Sequence, residues 1–147
     1  MNIDKYKGLI SNLPVKQQCF TTKRTTWLKA EKEINWLEPL NDKLFGHNPI
    51  LTISRKDIFN TKEPREVIVK TVYWGYPAGM RRNHFVDILK HIDIVENILS
   101  NVKTKSNLKD IDFHELALAF ENIPGIGLST YSKLLYFFKI SFNDNPC

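Results

Sequence analysis

The sequence is poor in the residues that build disulfide frameworks and most protein metal centres. Its 147 residues include two cysteines, Cys19 and Cys147, which form no Cys-x-x-Cys pair. The four histidines show no paired spacing and do not accompany either cysteine. This scarcity gives no support to a disulfide scaffold or a zinc site, and it leaves a histidine-based hydrolase without candidate residues.

Long apolar runs are also missing. No stretch approaches the length of a membrane span, and the first ten residues lack both the apolar run and the cleavage site of a signal peptide. We therefore expect a soluble, cytoplasmic protein with no membrane contact. Hydrophobic residues still make up 42% of the chain, enough for a packed core. At this length we expect one domain spanning residues 1–147.

Acidic residues are outnumbered by basic ones, which gives a formal net charge of +5. An excess of four lies between Arg55 and Lys90, where eight Lys/Arg accompany four Asp/Glu, and an equal excess lies between Lys16 and Lys32, where five Lys/Arg accompany one Glu. This balance suits a polyanionic partner such as nucleic acid, although many soluble proteins carry a similar charge.

The apolar spacing predicts a mainly α protein, a helical bundle with one or two short strands. Residues 1–24 show no pattern and are expected to be irregular. The predicted elements of the first half are a helix over 27–37 that Pro39 ends, a connection over 40–49, a strand or an extended lead into a helix over 50–58, and a segment over 65–74 that fits strand or helix. For this last segment we favour helix, because Pro64 suits a first helical turn.

The second half shows clearer helical period. Its predicted elements are a helix over 84–99 capped by Asn83, a polar loop over 100–110, a short helix over 113–121 capped by Asp112, and a final helix over 128–140. The last two helices are separated by a turn with an unusual use of glycine.

Two of only six glycines flank one isoleucine in the run Ile123-Pro124-Gly125-Ile126-Gly127. A Gly-x-Gly turn that opens a helix removes Cβ atoms, so that another backbone can approach closely. It also presents unpaired N–H groups at the positive end of the helix dipole, which suits one phosphate. The alternative is a tight connection in a helical bundle, in which the glycines only permit close packing.

The pattern apolar-Pro-Gly-apolar-Gly between two amphipathic helices is typical of the helix-hairpin-helix, which we predict over residues 112–140. Together with WGYPAGMRRN and the long helix after it, FENIPGIGLSTYSKLLYF resembles the bacterial 8-oxoguanine DNA glycosylase-fold proteins of the helix-hairpin-helix glycosylase superfamily. The resemblance covers about residues 60–147. It implies binding of double-stranded DNA and excision of an oxidised purine by hydrolysis of its N-glycosidic bond, as in DNA repair.

The resemblance also implies which residues contact DNA. The candidates are the turn, the start of the last helix and the two arginines of the preceding loop: Pro124, Gly125, Ile126, Gly127, Ser129, Thr130, Lys133, Arg81 and Arg82. In the same loop, Tyr76 or Met80 is a candidate wedge that fills the gap left by an extruded base. The alternative is that Trp74 and Tyr76 pack in the core and that the two arginines are solvated. The family chelates a monovalent cation, K+ or Na+, with three backbone carbonyls that here belong to Glu121, Ile123 and Ile126. It requires no other cofactor.

The catalytic residues of the family have weaker counterparts. Members that use a lysine nucleophile carry it two residues after the second turn glycine, where this sequence has Ser129. Lys133 lies one turn further along the same polar strip, so it is one catalytic candidate, with a solvated or phosphate-facing lysine as the alternative. The family aspartate follows the second helix, just past a loop like residues 142–147, which are the last of the sequence. Asp144 is the second candidate, although its Asn-Asp-Asn-Pro context favours a turn former.

Two functions therefore stay open. The first is a base-excision DNA glycosylase, and the second is a non-catalytic DNA-binding module with a degenerate glycosylase fold. Both predict salt-sensitive binding to the DNA backbone through the turn. In a third interpretation the turn contacts only protein.

Overall fold

The computed structural model describes residues 18–103, 109–142 and 145–146. This described part is mainly α, as the apolar spacing predicts, with eight α-helices and two small antiparallel sheets. The elements are β1 (Cys19–Lys23), a 3₁₀ helix (Arg24–Trp27), α1 (Leu28–Glu33), α2 (Leu37–Phe45), β2 (Ile50–Ser54), α3 (Arg55–Phe59), α4 (Pro64–Gly75), α5 (His84–Lys90), α6 (Ile92–Lys103), α7 (Asp110–Glu121), α8 (Leu128–Phe137), β3 (Ser141–Phe142) and β4 (Asn145–Pro146).

Helix α4 passes through the core. Pro64 occupies its first turn, where the missing N–H is not needed. Its β-branched residues, such as Val67 and Ile68, are buried, and the helix contacts β1 and β2 as well as α8. The preference for helix over strand at residues 65–74 is confirmed, because a helix covered on several sides can be apolar around most of its circumference.

The first strand was not predicted. β1 pairs antiparallel with β2, with Cys19 opposite Ser54 and Lys23 opposite Ile50. The expectation of irregular structure over residues 1–24 is therefore wrong for 19–24, since the 3₁₀ helix begins at Arg24, and residues 1–17 lie outside the described part. The two alternatives for residues 50–58 are each right in part: the strand ends at Ser54, whose hydroxyl accepts from the Asp57 N–H in a capping box that starts α3.

Pro39 does not end a helix, contrary to the prediction. Helix α1 stops earlier, at Glu33, and Pro39 lies in the first turn of the separate helix α2. The N–H groups of a first turn have no partner within the helix, so proline is tolerated there. Most of the connection predicted over 40–49 is consequently helical, and α2 ends at Phe45, followed by the C-cap Gly46 with a φ of 60°.

The helices of the second half begin and end at other residues than predicted. The single helix expected over 84–99 is divided at His91 into α5 and α6, and α6 continues to Lys103 within the predicted loop. Asn83 precedes α5 but makes no side-chain capping bond. Asp112 is not a cap, because α7 already begins at Asp110; its carboxylate accepts the Lys109 N–H at 3.1 Å. The final helix ends at Phe137 and not at residue 140.

The helices are short. α4, α6 and α7 have 12 residues each, or about 18 Å at 1.5 Å per residue. A bilayer core requires about 20 apolar residues. Accordingly, none of the helices in the described ranges has the length and apolar character to cross a membrane.

Candidate nucleic-acid interface

Residues 122–127 connect α7 to α8 and are anchored by two isoleucines. The side chains of Ile123 and Ile126 are buried, with exposed fractions of 4% and 6%. The Ile126 N–H donates to the Ile123 carbonyl at 3.3 Å. Pro124 between them is exposed. The turn is therefore held to the core by its apolar side chains, while part of its backbone faces outward.

Gly125 is required for packing. Its φ is +89°, and a Cβ at this position would lie 2.4 Å from the carbonyl oxygen of His84, the first residue of α5. A residue with a side chain would be strained in this backbone conformation, and its Cβ would force the His84 carbonyl to shift. For Gly125, the packing interpretation of the turn glycines therefore holds.

Gly127 is in a different situation. It is the N-cap of α8 in extended conformation, and a Cβ built on it meets no atom within 4 Å. Its carbonyl accepts the N–H groups of Thr130 and Tyr131 at 3.1 and 3.0 Å. Within the described residues, the N–H groups of Gly127, Leu128 and Ser129 donate to no acceptor. All three residues are exposed and lie at the positive end of α8, which suits an anion.

A cleft of about 510 Å³ lies between this turn and the loop after α4. We call it the turn cleft. Its lining residues are Tyr76, Gly79, Met80, Arg81, His84, Gly125, Ile126, Gly127, Ser129 and Thr130. The structure thus brings most of the predicted DNA contacts and both wedge candidates to one place. Arg82 is exposed but outside the lining, and Lys133 also lies outside it.

The loop over residues 76–83 is supported from its other side by the N-terminal elements. The Thr22 hydroxyl donates to the Pro77 carbonyl at 2.7 Å and accepts the indole N–H of Trp27 at 2.9 Å. Lys29 donates to the side-chain oxygen of Asn83. One wall of the turn cleft is therefore fixed by β1, the 3₁₀ helix and α1.

Four polar side chains form a cluster where α8 begins. The Tyr76 hydroxyl donates to Ser129 Oγ at 3.2 Å and lies 2.9 Å from Thr130 Oγ1. Lys133 Nζ donates to Ser129 Oγ at 2.7 Å and lies 5.1 Å from the centre of the Tyr76 ring. Burial by itself would raise the pKa of the Tyr76 phenol, but the hydrogen bonds with Ser129 and Thr130 and the nearby ammonium lower that pKa below its ordinary value of 10.0.

Lys133 is held in place. Its stem lies against Gly75, where a Cβ would come within 2.8 Å of Lys133 Cδ. Its ammonium group donates to the Ser129 side chain and, at 3.2 Å, to the Ser129 carbonyl. The residue is half-buried. The structure thus links Lys133 to the position where the resembling family carries its lysine.

A second cleft, of about 400 Å³, borders this cluster. We call it the aromatic cleft, lined by Arg55, Trp74, Ser129, Ser132, Lys133, Tyr136 and Phe137. The Arg55 guanidinium lies 4.9 Å from the Trp74 ring centre and 5.4 Å from that of Tyr136, and it donates to the Tyr136 hydroxyl at 3.2 Å. Arg55 Nε is buried without a partner among the described residues. Ser129 lines both clefts, so the two adjoin.

The sequence does not indicate the aromatic cleft as a site. Its pattern places Trp74 in the core, and Arg55 stands out only as one charge of the basic region. Arg55 and Trp74 are brought together because β2 leads into α3 beside the end of α4, which no local pattern of the sequence reveals. Asp144, the second catalytic candidate, lies outside the described residues.

The three carbonyls predicted to chelate a cation differ in their hydrogen bonding. The Ile123 carbonyl accepts the Ile126 N–H, whereas those of Glu121 and Ile126 accept no hydrogen bond in the described part of the chain. Backbone carbonyls are common ligands of K+ and Na+, so the donor set fits such an ion. Among described residues, no group of three or more His, Cys, Asp and Glu is placed to hold a metal.

Comparison with protein families gives a match over residues 13–147 to the family described as "Putative 8-oxoguanine DNA glycosylase OGG-like protein". Neither the curated proteins nor the solved structures gave a match. The family match spans nearly the whole chain and includes the turn and both clefts, and it indicates a glycosylase-like protein that binds DNA in general. The chain therefore belongs to the 8-oxoguanine DNA glycosylase OGG-like family.

Proposed function

We propose that α7, the turn at 122–127 and α8 form a helix-hairpin-helix that binds the backbone of double-stranded DNA. The observation that carries the proposal is the set of amides at Gly127, Leu128 and Ser129, three exposed residues at the start of α8 whose N–H groups have no acceptor among the described residues. Three N–H donors at a helix N-terminus suit one phosphate. Such a contact is independent of sequence and sensitive to salt.

The loop over residues 76–83 supplies the second part of the proposed DNA contact. Arg81 lines the turn cleft and Arg82 is exposed beside it, so both side chains are available to phosphates that flank the one at the turn. Of the two candidate wedges we favour Met80. Both residues line the turn cleft, but the Tyr76 hydroxyl is already engaged by Ser129 and Thr130, whereas Met80 has no polar group that holds it.

For the chemistry, we propose that the aromatic cleft receives an extruded oxidised purine. Enzymes that act on a base hold it between aromatic and apolar side chains, and Trp74, Tyr136 and the stacked Arg55 offer such faces. Lys133 at the rim would then lie near the sugar. Hydrolysis would break the N-glycosidic bond as water adds to the sugar carbon, and the protonated base would leave.

A non-catalytic DNA-binding module is the second candidate, and one observation favours it. In the described part of the chain, no Asp or Glu lines the turn cleft or the aromatic cleft. A glycosylase needs a carboxylate or another group to stabilise positive charge that develops on the sugar. Lys133 carries the wrong charge for that role, so Asp144 or a residue outside the described ranges would have to supply it.

A monovalent cation completes the proposed turn. The carbonyls of Glu121, Ile123 and Ile126 would hold it, and its positive charge would favour the nearby DNA phosphate. The chain's own residues determine the shape of the turn, since Ile123 and Ile126 are buried.

Two substitutions of Gly127 test the DNA contact. Gly127→Asp places a carboxylate beside the amides and should lower the affinity for a short duplex by at least tenfold. Gly127→Ala is the matched control, because a Cβ meets no atom there. Both should keep the wild-type thermal midpoint, and fluorescence anisotropy at low salt measures binding. Equal affinity of Gly127→Asp and wild type would refute the contact.

The catalytic proposal is tested separately, on duplexes that carry 8-oxoguanine opposite cytosine or adenine. Alkaline cleavage reveals an abasic product if the base has been excised. A protein that binds these duplexes but yields no product from any of them supports the binding module. Borohydride trapping of wild type against Lys133→Arg shows whether Lys133 forms a covalent intermediate.

A further inference from the structure

A third cleft lies at the opposite end of α8 from the turn. It encloses about 450 Å³ between the α3–α4 connection, the end of α6 and the residues that end α8. We call it the lysine cleft, because Lys62, Lys103 and Lys139 line it around the aromatic residues Phe59, Phe137 and Phe138. Neither the proposed DNA contact at the turn nor the proposed base excision uses it.

The lysine cleft carries a net positive charge. No Asp or Glu belongs to its described lining, and Lys62, Lys103 and Lys139 form no ion pair with any described residue. Lysines also stabilise helix C-termini, and α8 ends here. A helix end contributes only about half a negative charge, however, so three ammonium groups exceed what this helix end requires.

Lys139 occupies a position that normally belongs to glycine. Its φ is 60°, in the left-handed region, and it follows the C-cap Phe138. Its N–H donates to the Tyr136 carbonyl and that of Ile140 to the Leu135 carbonyl, both at 3.1 Å, which is a Schellman motif. Glycine is the usual residue there because it avoids the strain that a side chain introduces. A lysine at this strained position suggests that its charge has a use beyond folding.

We propose that the lysine cleft binds a phosphate group of a nucleic acid or nucleotide. Phe59, whose ring centre is 5.8 Å from Lys139 Nζ, gives the cleft an aromatic surface next to its charge. Lysine ammonium groups bind phosphates as point charges, and rings next to lysines suit a ligand that carries both phosphate and base.

The placement of the cleft favours a DNA phosphate over that of a free nucleotide. The lysine cleft shares Phe137 with the aromatic cleft, which in turn shares Ser129 with the turn cleft. Gly127 and Lys139 are separated by about 18 Å along the helix at 1.5 Å per residue. This is about five base steps of 3.4 Å. If the phosphate belongs to DNA, the proposal rests on the proposed function, and the lysine cleft supplies a second phosphate contact besides the one at the turn.

Lys139→Gly tests the proposal, since glycine relieves the backbone while removing the charge. We expect a thermal midpoint equal to or above that of wild type, together with weaker duplex binding at moderate salt. The slope of log K against log salt concentration should become shallower by about 0.9, the value for one phosphate contact. Between about 50 and 200 mM salt, the variant should lose about threefold less affinity than wild type. Lys139→Arg keeps the charge and should retain the wild-type slope.

A second pair of variants makes the result independent of the backbone of residue 139. The double variant Lys62→Gln/Lys103→Gln should also flatten the slope, whereas Lys32→Gln, an exposed lysine outside all three clefts, should not. An unchanged slope in both Lys139→Gly and the double variant would overturn the DNA-phosphate form of the proposal.

The free ligand is tested by titrating wild type and Lys139→Gly with inorganic phosphate and adenosine monophosphate, observed by NMR. Binding by wild type that weakens in Lys139→Gly supports the cleft as a phosphate site, even if no variant binds duplex and the proposed function fails. The proposal is refuted if the salt dependence of duplex binding is the same in wild type and Lys139→Gly and if wild type binds neither inorganic phosphate nor adenosine monophosphate. If Gly127→Asp weakens duplex binding and the lysine-cleft variants change neither its affinity nor its salt slope, the turn contact stays valid and the lysine cleft is refuted as a DNA contact.

Discussion

Helix α4 and the turn at residues 122–127 differ in what fixes their position. In α4 the side chains determine the position, since residues such as Ile68 and Tyr73 are buried and Tyr73 donates to Asn41 at 2.6 Å. The turn is also held by buried side chains, those of Ile123 and Ile126. In addition it requires a position without a side chain, because Gly125 lies against the His84 carbonyl, whereas Gly127 faces open space.

This difference separates stability from binding. Changes in α4 remove packed atoms and should act on the free energy of unfolding, with duplex binding affected only through the folded fraction. Changes at Gly127 leave packing intact and should act on binding alone. A change at Gly125 should affect both stability and binding. The comparison is therefore tested by one set of substitutions in the core and another in the turn.

The largest effect on stability is expected for Ile68→Ala. Ile68 is fully buried, and truncation of such a residue lowers the free energy of unfolding by about 2–5 kcal/mol. Urea denaturation measures it. Ile94→Ala is the control, since Ile94 is 50% exposed and should change stability by less than about 0.5 kcal/mol. Similar losses for both variants would contradict the central place of α4.

Gly125→Ala should have the next largest effect. The new Cβ meets the His84 carbonyl and the φ of +89° is strained, so we expect a loss of about 1–3 kcal/mol together with weaker duplex binding, as the turn must move. Gly127→Ala is the matched control, and we expect it to change neither the free energy of unfolding nor duplex binding. Should the two alanine variants show the same thermal midpoint, Gly125 would not be a packing glycine.

Tyr76→Phe is expected to have a smaller effect at neutral pH. It removes the hydrogen bonds with Ser129 and Thr130, which contribute about 0.5–1.5 kcal/mol. Since the pKa of Tyr76 is lowered in the folded state, the wild type should gain stability relative to this variant as the pH rises from the folded pKa toward 10.0, the unfolded value. Urea unfolding at several pH values between 7 and 10 gives the difference.

Tyr73→Phe should show the opposite pH dependence. Burial raises the pKa of Tyr73 well above 10.0, and the hydrogen bond with Asn41 reduces the shift only in part. The contribution of Tyr73 to stability is therefore complete below pH 10 and is lost as the pH rises above it. Parallel curves for the Tyr73 and Tyr76 variants would show that the two phenols do not differ in environment.

The parts of the fold that local signals encode could be predicted from the sequence. Pro64 marks the start of α4, and Pro124 with Gly125 marks the turn between α7 and α8. Pro39 shows the limit of such signals, because the same residue type ends a helix or lies in its first turn depending on where the helix starts. The position of that start depends on burial of Leu37 and Phe45 in the tertiary structure.

Contacts between distant segments could not be predicted. Pairing of β1 with β2 joins segments about thirty residues apart, and Cys19–Lys23 has no strand pattern of its own. The helical spacing of Ser129 and Lys133 predicts that they share one strip of a helix, and the structure agrees. No signal in the sequence shows that Tyr76 bonds to Ser129, or that Arg55 stacks on Trp74.

The support of the 76–83 loop by Thr22, Trp27 and Lys29 bears on how a minimal DNA-binding fragment can be chosen. A peptide cut to the two helices around Gly127 would keep the amides but lose the wall that carries Arg81. A DNA-binding fragment should therefore include Thr22, Trp27 and Lys29. We expect a fragment that starts after Lys29 to bind DNA as weakly as the isolated helix pair.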